Sequence, residues 1–241
     1  MINKLFMGFF LITATILVAQ SDGDVRINEI GNHGTKKAMY TGGDYIELIV
    51  LKNEGIKLAG WYLTDLSSTT GKAKETEGSI KLSDKEGSLF NQILPRGTYI
   101  LICFGNSAEK YGGSNFEEIT ELKDGGNLIV VFTESSDKHI EKNSGTMDLT
   151  GKDNVALLSD WNKHSAVDLV RWEGTSSWDG AAVTELTLVM VENGKIIYFN
   201  NDGENLKDNT ANASWISISD VEDATPGKTN KGVDDSTIRT K

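Results

Sequence analysis

The chain has 241 residues, 38% of them hydrophobic, and a formal net charge of −11 at pH 7. That length can bury a sizeable core, either as one large all-β domain or as two small ones. An acidic surface repels polyanions at long range and the doublet Lys36-Lys37 is no basic patch, which argues against nucleic acid as a ligand, while a lone Cys103 excludes an internal disulfide.

At the N-terminus, Lys4 precedes an almost uncharged apolar run over 5–19, and Ala19-Gln20-Ser21 supplies small residues near a cleavage point. The pattern reads as a secretory signal peptide over residues 1–20. At about 15 residues the run falls short of the roughly 20 that span a bilayer, so no membrane span is expected in the mature chain. The alternative is an uncleaved N-terminal anchor. On the first reading the protein is exported: secreted, periplasmic or held at the cell surface.

From Asp24 onward strand signals dominate, and no stretch carries a sustained helical stripe of apolar residues. Strands are predicted over 25–30, 45–52, 61–65, 98–104, 128–133, 154–158 and 167–172, each rich in β-branched or aromatic residues and bounded by Gly, Asn or Asp. In the second, Ile46, Leu48 and Val50 oppose Tyr45, Glu47, Ile49 and Leu51, an alternation expected to set core against water. Cys103 sits in the apolar run 99–104 and reads as a small buried hydrophobe. The connections 66–97, 105–127 and 134–153 are polar and glycine-rich, expected as solvated loops that would carry ligand contacts, with a short added strand at 79–82. Asn193-Gly194 between 185–191 and 195–199 predicts an extra hairpin, because Asn-Gly supplies the positive φ angles of a type I′ turn. The tail 231–241, with only Val233 and Ile238 as apolar side chains, is expected to fray. One β-sandwich domain over 24–230, with long loops, is the simplest reading.

Three acids, Glu29, Glu47 and Asp65, lie in or beside apolar strands. A pair of carboxylates about 5 to 9 Å apart is the equipment of a glycosidase. The competing role is structural, with each acid accepting backbone hydrogen bonds or standing on a solvated face. His33, His139 and His164 have no metal-ligand spacing and read as exposed loop residues. No Gly-x-Ser-x-Gly elbow or phosphate loop is present. Asn200, Asp202, Glu204 and Asp208 form an oxygen-rich stretch that could take calcium, although Gly203 is misplaced for an EF-hand loop. The alternative there is a plain polar turn.

Several segments together resemble one known family. They are Asn28-Glu29-Ile30, Asp44-Tyr45-Ile46-Glu47-Leu48, Leu58-Ala59-Gly60-Trp61-Tyr62-Leu63-Thr64-Asp65, the Leu94-Pro95-Arg96-Gly97 turn, Trp215, and Ala224-Thr225-Pro226-Gly227. In that order they resemble the lamin-tail domain, an immunoglobulin-like β-sandwich of nuclear lamins and of secreted bacterial proteins. The resemblance implies structural roles for Asn28, Glu47, Trp61, Asp65, Trp215, Pro226 and Gly227, and no catalytic residue. It points to an exported binding, adhesion or scaffold module whose partner is a protein or polysaccharide of the cell envelope or surroundings. A secreted hydrolase working through loop carboxylates and a calcium-stabilised surface domain are the rival classes.

Overall fold

The computed structural model describes residues 23–32, 43–66, 78–105, 110–111, 114–122, 127–147, 149, 154–162, 165–171, 183–185, 195–199, 215–218, 224–228 and 230. The N-terminal apolar run, the oxygen-rich stretch at 200–208 and the tail from 231 lie outside the described residues, as do His33 and His164. Of the expected extra hairpin, the second arm is a strand, while residues 186–194 also lie outside them.

The chain is all-β, and two large sheets carry the strands. The first sheet has the order β14 (Trp215–Ile218), β13 (Lys195–Phe199), β1 (Val25–Asn32), β2 (Tyr45–Val50), β5 (Tyr99–Cys103), β8 (Leu128–Phe132). The second has the order β12 (Val183–Glu185), β11 (Ser165–Arg171), β10 (Asn154–Asp160), β3 (Tyr62–Leu66), β4 (Ser79–Leu82), β9 (Ile140–Ser144). A short ribbon of β6 (Lys110–Tyr111) and β7 (Ser114–Asn115) stands apart from both. Pairing is antiparallel except at two sheet edges, where β8 runs parallel to β5 and β12 parallel to β11.

Alternation along the strands builds the sandwich core. Ile30, Ile46, Leu48, Ile100, Ile102, Ile129 and Val131 of the first sheet join Leu63, Ile80, Leu82, Val155 and Leu157 of the second in one buried cluster. Trp61, just ahead of β3, is buried in the same cluster, and Gly60 before it has φ +82. The two sheets are also tied by a buried polar joint. β13 pairs with β1 only from Glu29 to Asn32. Upstream of that register, the Ile27 N–H donates to Asp168 Oδ2 of β11 at 2.7 Å, and Arg26 donates to the Val167 carbonyl at 3.1 Å while its guanidinium lies 3.6 Å from Asp168 Oδ1.

Two expectations are corrected. β1 and β2 do not alternate between core and water, since every residue of both strands is buried. The outer face of the first sheet holds a second small core of Tyr45, Leu101, Cys103, Val130 and Phe132, covered by Phe116, Ile119 and Ala224. Ile119 is fixed there by two 2.9 Å backbone hydrogen bonds with Val130. The connections expected as solvated loops likewise contribute to the interior. Leu82, Leu89, Phe90 and Leu94 from one, and Ile140, Met147 and Leu149 from another, are buried. Leu89–Asn91 form a single 3-10 turn, capped by the Ser88 hydroxyl.

Candidate functional site

The first sheet places two glutamates side by side. Glu29 and Glu47 are register partners on β1 and β2, both fully buried on the outer face. A β-bulge interrupts the register between Ile27 and Glu29, and Asn28 occupies it. The extra residue re-aims the strand locally, so that Asn28 and Glu29 both reach the glutamate pair.

Residues 224–228 and 230 return to close the site from above. Lys228 N–H donates to the Thr225 carbonyl at 2.9 Å, closing a four-residue turn around Pro226-Gly227. Proline at its second position and a glycine with φ +73 at its third are the chemistry of a type II turn. That backbone conformation aims the Gly227 N–H at Glu47 Oε2, to which it donates. Gly227 also needs to be glycine for space, as a β-carbon there would stand 2.8 Å from a Leu128 methyl group.

Each carboxylate oxygen has partners. Glu47 Oε1 accepts from Asn28 Nδ2 at 2.7 Å. Glu29 Oε1 accepts from the Tyr45 hydroxyl and from Thr225 N–H at 3.3 Å, and Glu29 Oε2 lies 2.8 Å from the Thr225 hydroxyl. Asn230 completes the ring: its Nδ2 lies 3.2 Å from Asn28 Oδ1, and its Oδ1 lies 3.0 Å from Thr225 Oγ1. No ion pair reaches either glutamate among the described residues.

Burial without a cation penalises the charged forms. Loss of water raises the Glu29 carboxyl to about 7, against the lowering effect of its hydrogen bonds from Tyr45 and Thr225. Glu47 is raised well above its ordinary value, by burial first and by the negative charge of Glu29 second. The Tyr45 phenol is also pushed up, by burial and then by Glu29.

The residues singled out from the sequence therefore divide. Asn28, Glu47, Pro226 and Gly227 come together at this one site. Asp65 lies on β3 of the second sheet with Trp61 just ahead of that strand, and Trp215 is buried on β14, opposite Phe199. Sequence reasoning missed that Glu29 is the partner of Glu47 and that Tyr45, Thr225 and Asn230 bind the pair. The available signal was the run of polar residues in the closing motif itself, where Thr225 and Asn230 flank Pro226-Gly227.

His139 is a correction: it is buried, with its Nδ1 accepting the Leu89 N–H at 3.1 Å. It thus anchors the 3-10 turn, and burial lowers its pKa. No group of three or more His, Cys, Asp or Glu is placed to hold a metal among the described residues. No helix among them is long and apolar enough to cross a membrane. Compared with known protein families and with curated proteins, the chain matches none.

Proposed function

We propose that the mature chain is a non-catalytic recognition or scaffold module, exported from the cell and of the immunoglobulin-like, lamin-tail type. The observation that carries this reading is the occupancy of the Glu29–Glu47 pair. Two adjacent carboxyls with raised pKa values are the usual sign of acid and base chemistry. Here the chain's own Tyr45, Asn28, Thr225 and Gly227 take up the carboxyl oxygens, and both residues are 0% exposed. A substrate needs the space that Thr225, Gly227 and Asn230 fill, so the pair serves as a fastening for this later segment of the chain. The convergence of Asn28, Glu47, Pro226 and Gly227 is also what the lamin-tail resemblance leads one to expect of structural residues.

Recognition then falls to the surface between the strands, where a rigid scaffold presents loops. One candidate is the polar groove of about 660 Å³ beside the 3-10 turn, lined by Asp84, Asn91, Gln92, Thr120, Glu121 and Lys138 among others. The test is to present the protein from Ser21 onward to glycan arrays, cell-envelope fractions and DNA at several salt concentrations, with product analysis of every retained glycan. Retention of a glycan or envelope protein without turnover is expected. Hydrolysis that disappears in Glu47→Gln would replace this reading with the hydrolase, and DNA binding that weakens steeply with salt would overturn the charge argument.

A further inference from the structure

The hydroxyl of Thr225 faces two acceptors. Its Oγ1 lies 2.8 Å from Glu29 Oε2 and 3.0 Å from Asn230 Oδ1. A hydroxyl has one hydrogen to give, so it cannot serve both. The Asn230 amide cannot be turned to relieve this. Its Nδ2 sits 3.4 Å from the Asn28 backbone carbonyl and 3.2 Å from Asn28 Oδ1, and reversing the amide would set oxygen against oxygen at both contacts. Turning Asn28 as well would restore the amide pairing, but it would set Asn28 Oδ1 against Glu47 Oε1, which would then have to carry the hydrogen itself; as placed, Asn28 Nδ2 donates to Glu47 Oε1, so in either sense the pair holds one proton.

These directions resolve if a hydrogen sits on Glu29 Oε2. It then donates to Thr225 Oγ1, Thr225 donates to Asn230 Oδ1, Asn230 donates to Asn28 Oδ1, and Asn28 donates to Glu47. Glu29 Oε1, receiving the Tyr45 hydroxyl and Thr225 N–H, is the carbonyl oxygen of a neutral acid. Glu47, as placed, receives two N–H donors, from Asn28 and Gly227.

We propose that the pair is a proton site and that its proton is the key of a latch: the 225–228 turn stays docked while Glu29 carries hydrogen, and lifts from the sheet, with the sandwich still folded, when both carboxyls ionise. With two charges side by side, the Thr225 hydroxyl turns to Glu29 and no longer donates to Asn230, and the buried face gains a repulsion that water relieves. Burial supports the sense of the device, because it raises both carboxyls above the ordinary glutamate range. The other titratable groups facing the pair are Tyr45 beside Glu47 on β2 and Cys103 opposite Tyr45 on β5. On β13, Tyr198 is the register partner of Glu29. The turn brings Lys228, which is exposed, and β8 brings no titratable group to this face.

The experiment is amide hydrogen exchange on the full mature chain from about pH 6 to about pH 9, with each rate corrected for intrinsic exchange. Protection of the Thr225 and Gly227 amides is expected to fall at least tenfold across that range, while the β2 and β5 amides hold theirs. In Glu29→Gln the side-chain amide donates permanently to Thr225, so protection of the turn should be independent of pH. Wild-type protection unchanged to the upper limit overturns the latch. So does a Glu29→Gln protein that loses protection as the wild type does, since Tyr45 and Cys103 are unaltered in it. Should that variant not fold, carbon-13 titration of the wild-type glutamate carboxyls decides the matter. One buried carboxyl still protonated at about pH 6, ionising together with loss of the turn amides, supports the proposal, and two carboxyls ionised at that pH refute it.

Discussion

The ring of Tyr45 packs against Gly31, its partner in the β1–β2 register: a β-carbon at Gly31 would come within 2.2 Å of the ring. The missing side chain on one strand lets the tyrosine of the next lean over it and carry its hydroxyl to Glu29. Gly31→Ala should therefore push the ring out of place and cost about 1–3 kcal/mol, as overpacking of a core does. Tyr45→Phe keeps the ring and removes one donor to a buried carboxyl, a loss of about 1–3 kcal/mol. Urea unfolding of both variants checks this, and an alanine tolerated at Gly31 would mean the ring has another resting place.

Stability should fall as pH rises toward neutrality, the reverse of the usual behaviour of paired carboxylates. Glu29 titrates at about 7 when folded and at 4.5 when exposed. Between those values the folded state holds a proton that the unfolded state has lost, so stabilisation present below 4.5 is progressively withdrawn up to about 7. The shift corresponds to roughly 3 kcal/mol, and Glu47 acts in the same sense. Asp84 and Glu141, each lowered first by a side-chain hydrogen bond, from Lys81 and Ser83 respectively, act oppositely, but water screens them. Urea midpoints at pH 5 should exceed those at pH 8, and Glu29→Gln should narrow the gap. Equal midpoints in the wild type would be incompatible with a proton held on folding.

Trp61→Ala should cost about 3–5 kcal/mol, because the indole is 3% exposed in the main core. Ile93, at 62% exposure, provides the contrast, and Ile93→Ala should change stability by less than about 0.5 kcal/mol. Thermal or denaturant melting of the two variants would disprove the placement of Trp61 if their effects were alike.

Asp168→Ala should be among the most damaging changes in the second sheet. Asp168 accepts the Ile27 and Leu169 N–H groups and faces Arg26, whose exposure is only 5%. Removing it takes the counter-charge from a buried guanidinium and the acceptor from two backbone N–H groups, worth about 3–5 kcal/mol. The double variant Arg26→Met with Asp168→Leu should recover much of the loss, and a recovery of nothing would show that the joint matters through its N–H partners alone.

Much of the framework was legible because most strands are built of β-branched and aromatic residues. The segments 79–82 and 195–199 coincide with β4 and β13, although 195–199, expected as a hairpin arm with 185–191, pairs with β1 and β14 instead, and the seven main predicted strands differ from the observed ones by a few residues at their ends. β9 was hidden for a physical reason: at an exposed edge only Ile140 is buried, and Glu141, Lys142 and Asn143 give no apolar alternation. The double-sided burial of β1 and β2 was hidden differently. Alternation tells one face from the other, but it does not tell water from a cover supplied by residues 116–119 and 224. At the site, Asn28, Glu47, Pro226 and Gly227 were legible as structural residues, whereas their meeting depended on contacts spanning 180 positions from Glu47 to Gly227 and 196 from Glu29 to Thr225.

That separation bears on how the molecule comes to maturity. A chain delivered N-end first brings out β1 and β2 with their carboxyls still wet, long before the residues that fasten them have emerged. Until those residues are made, the two adjacent carboxyls lack the donors of Thr225 and Gly227. Only when the final turn arrives is water expelled and the domain made rigid, so the moment of hardening is set by the arrival of Pro226-Gly227.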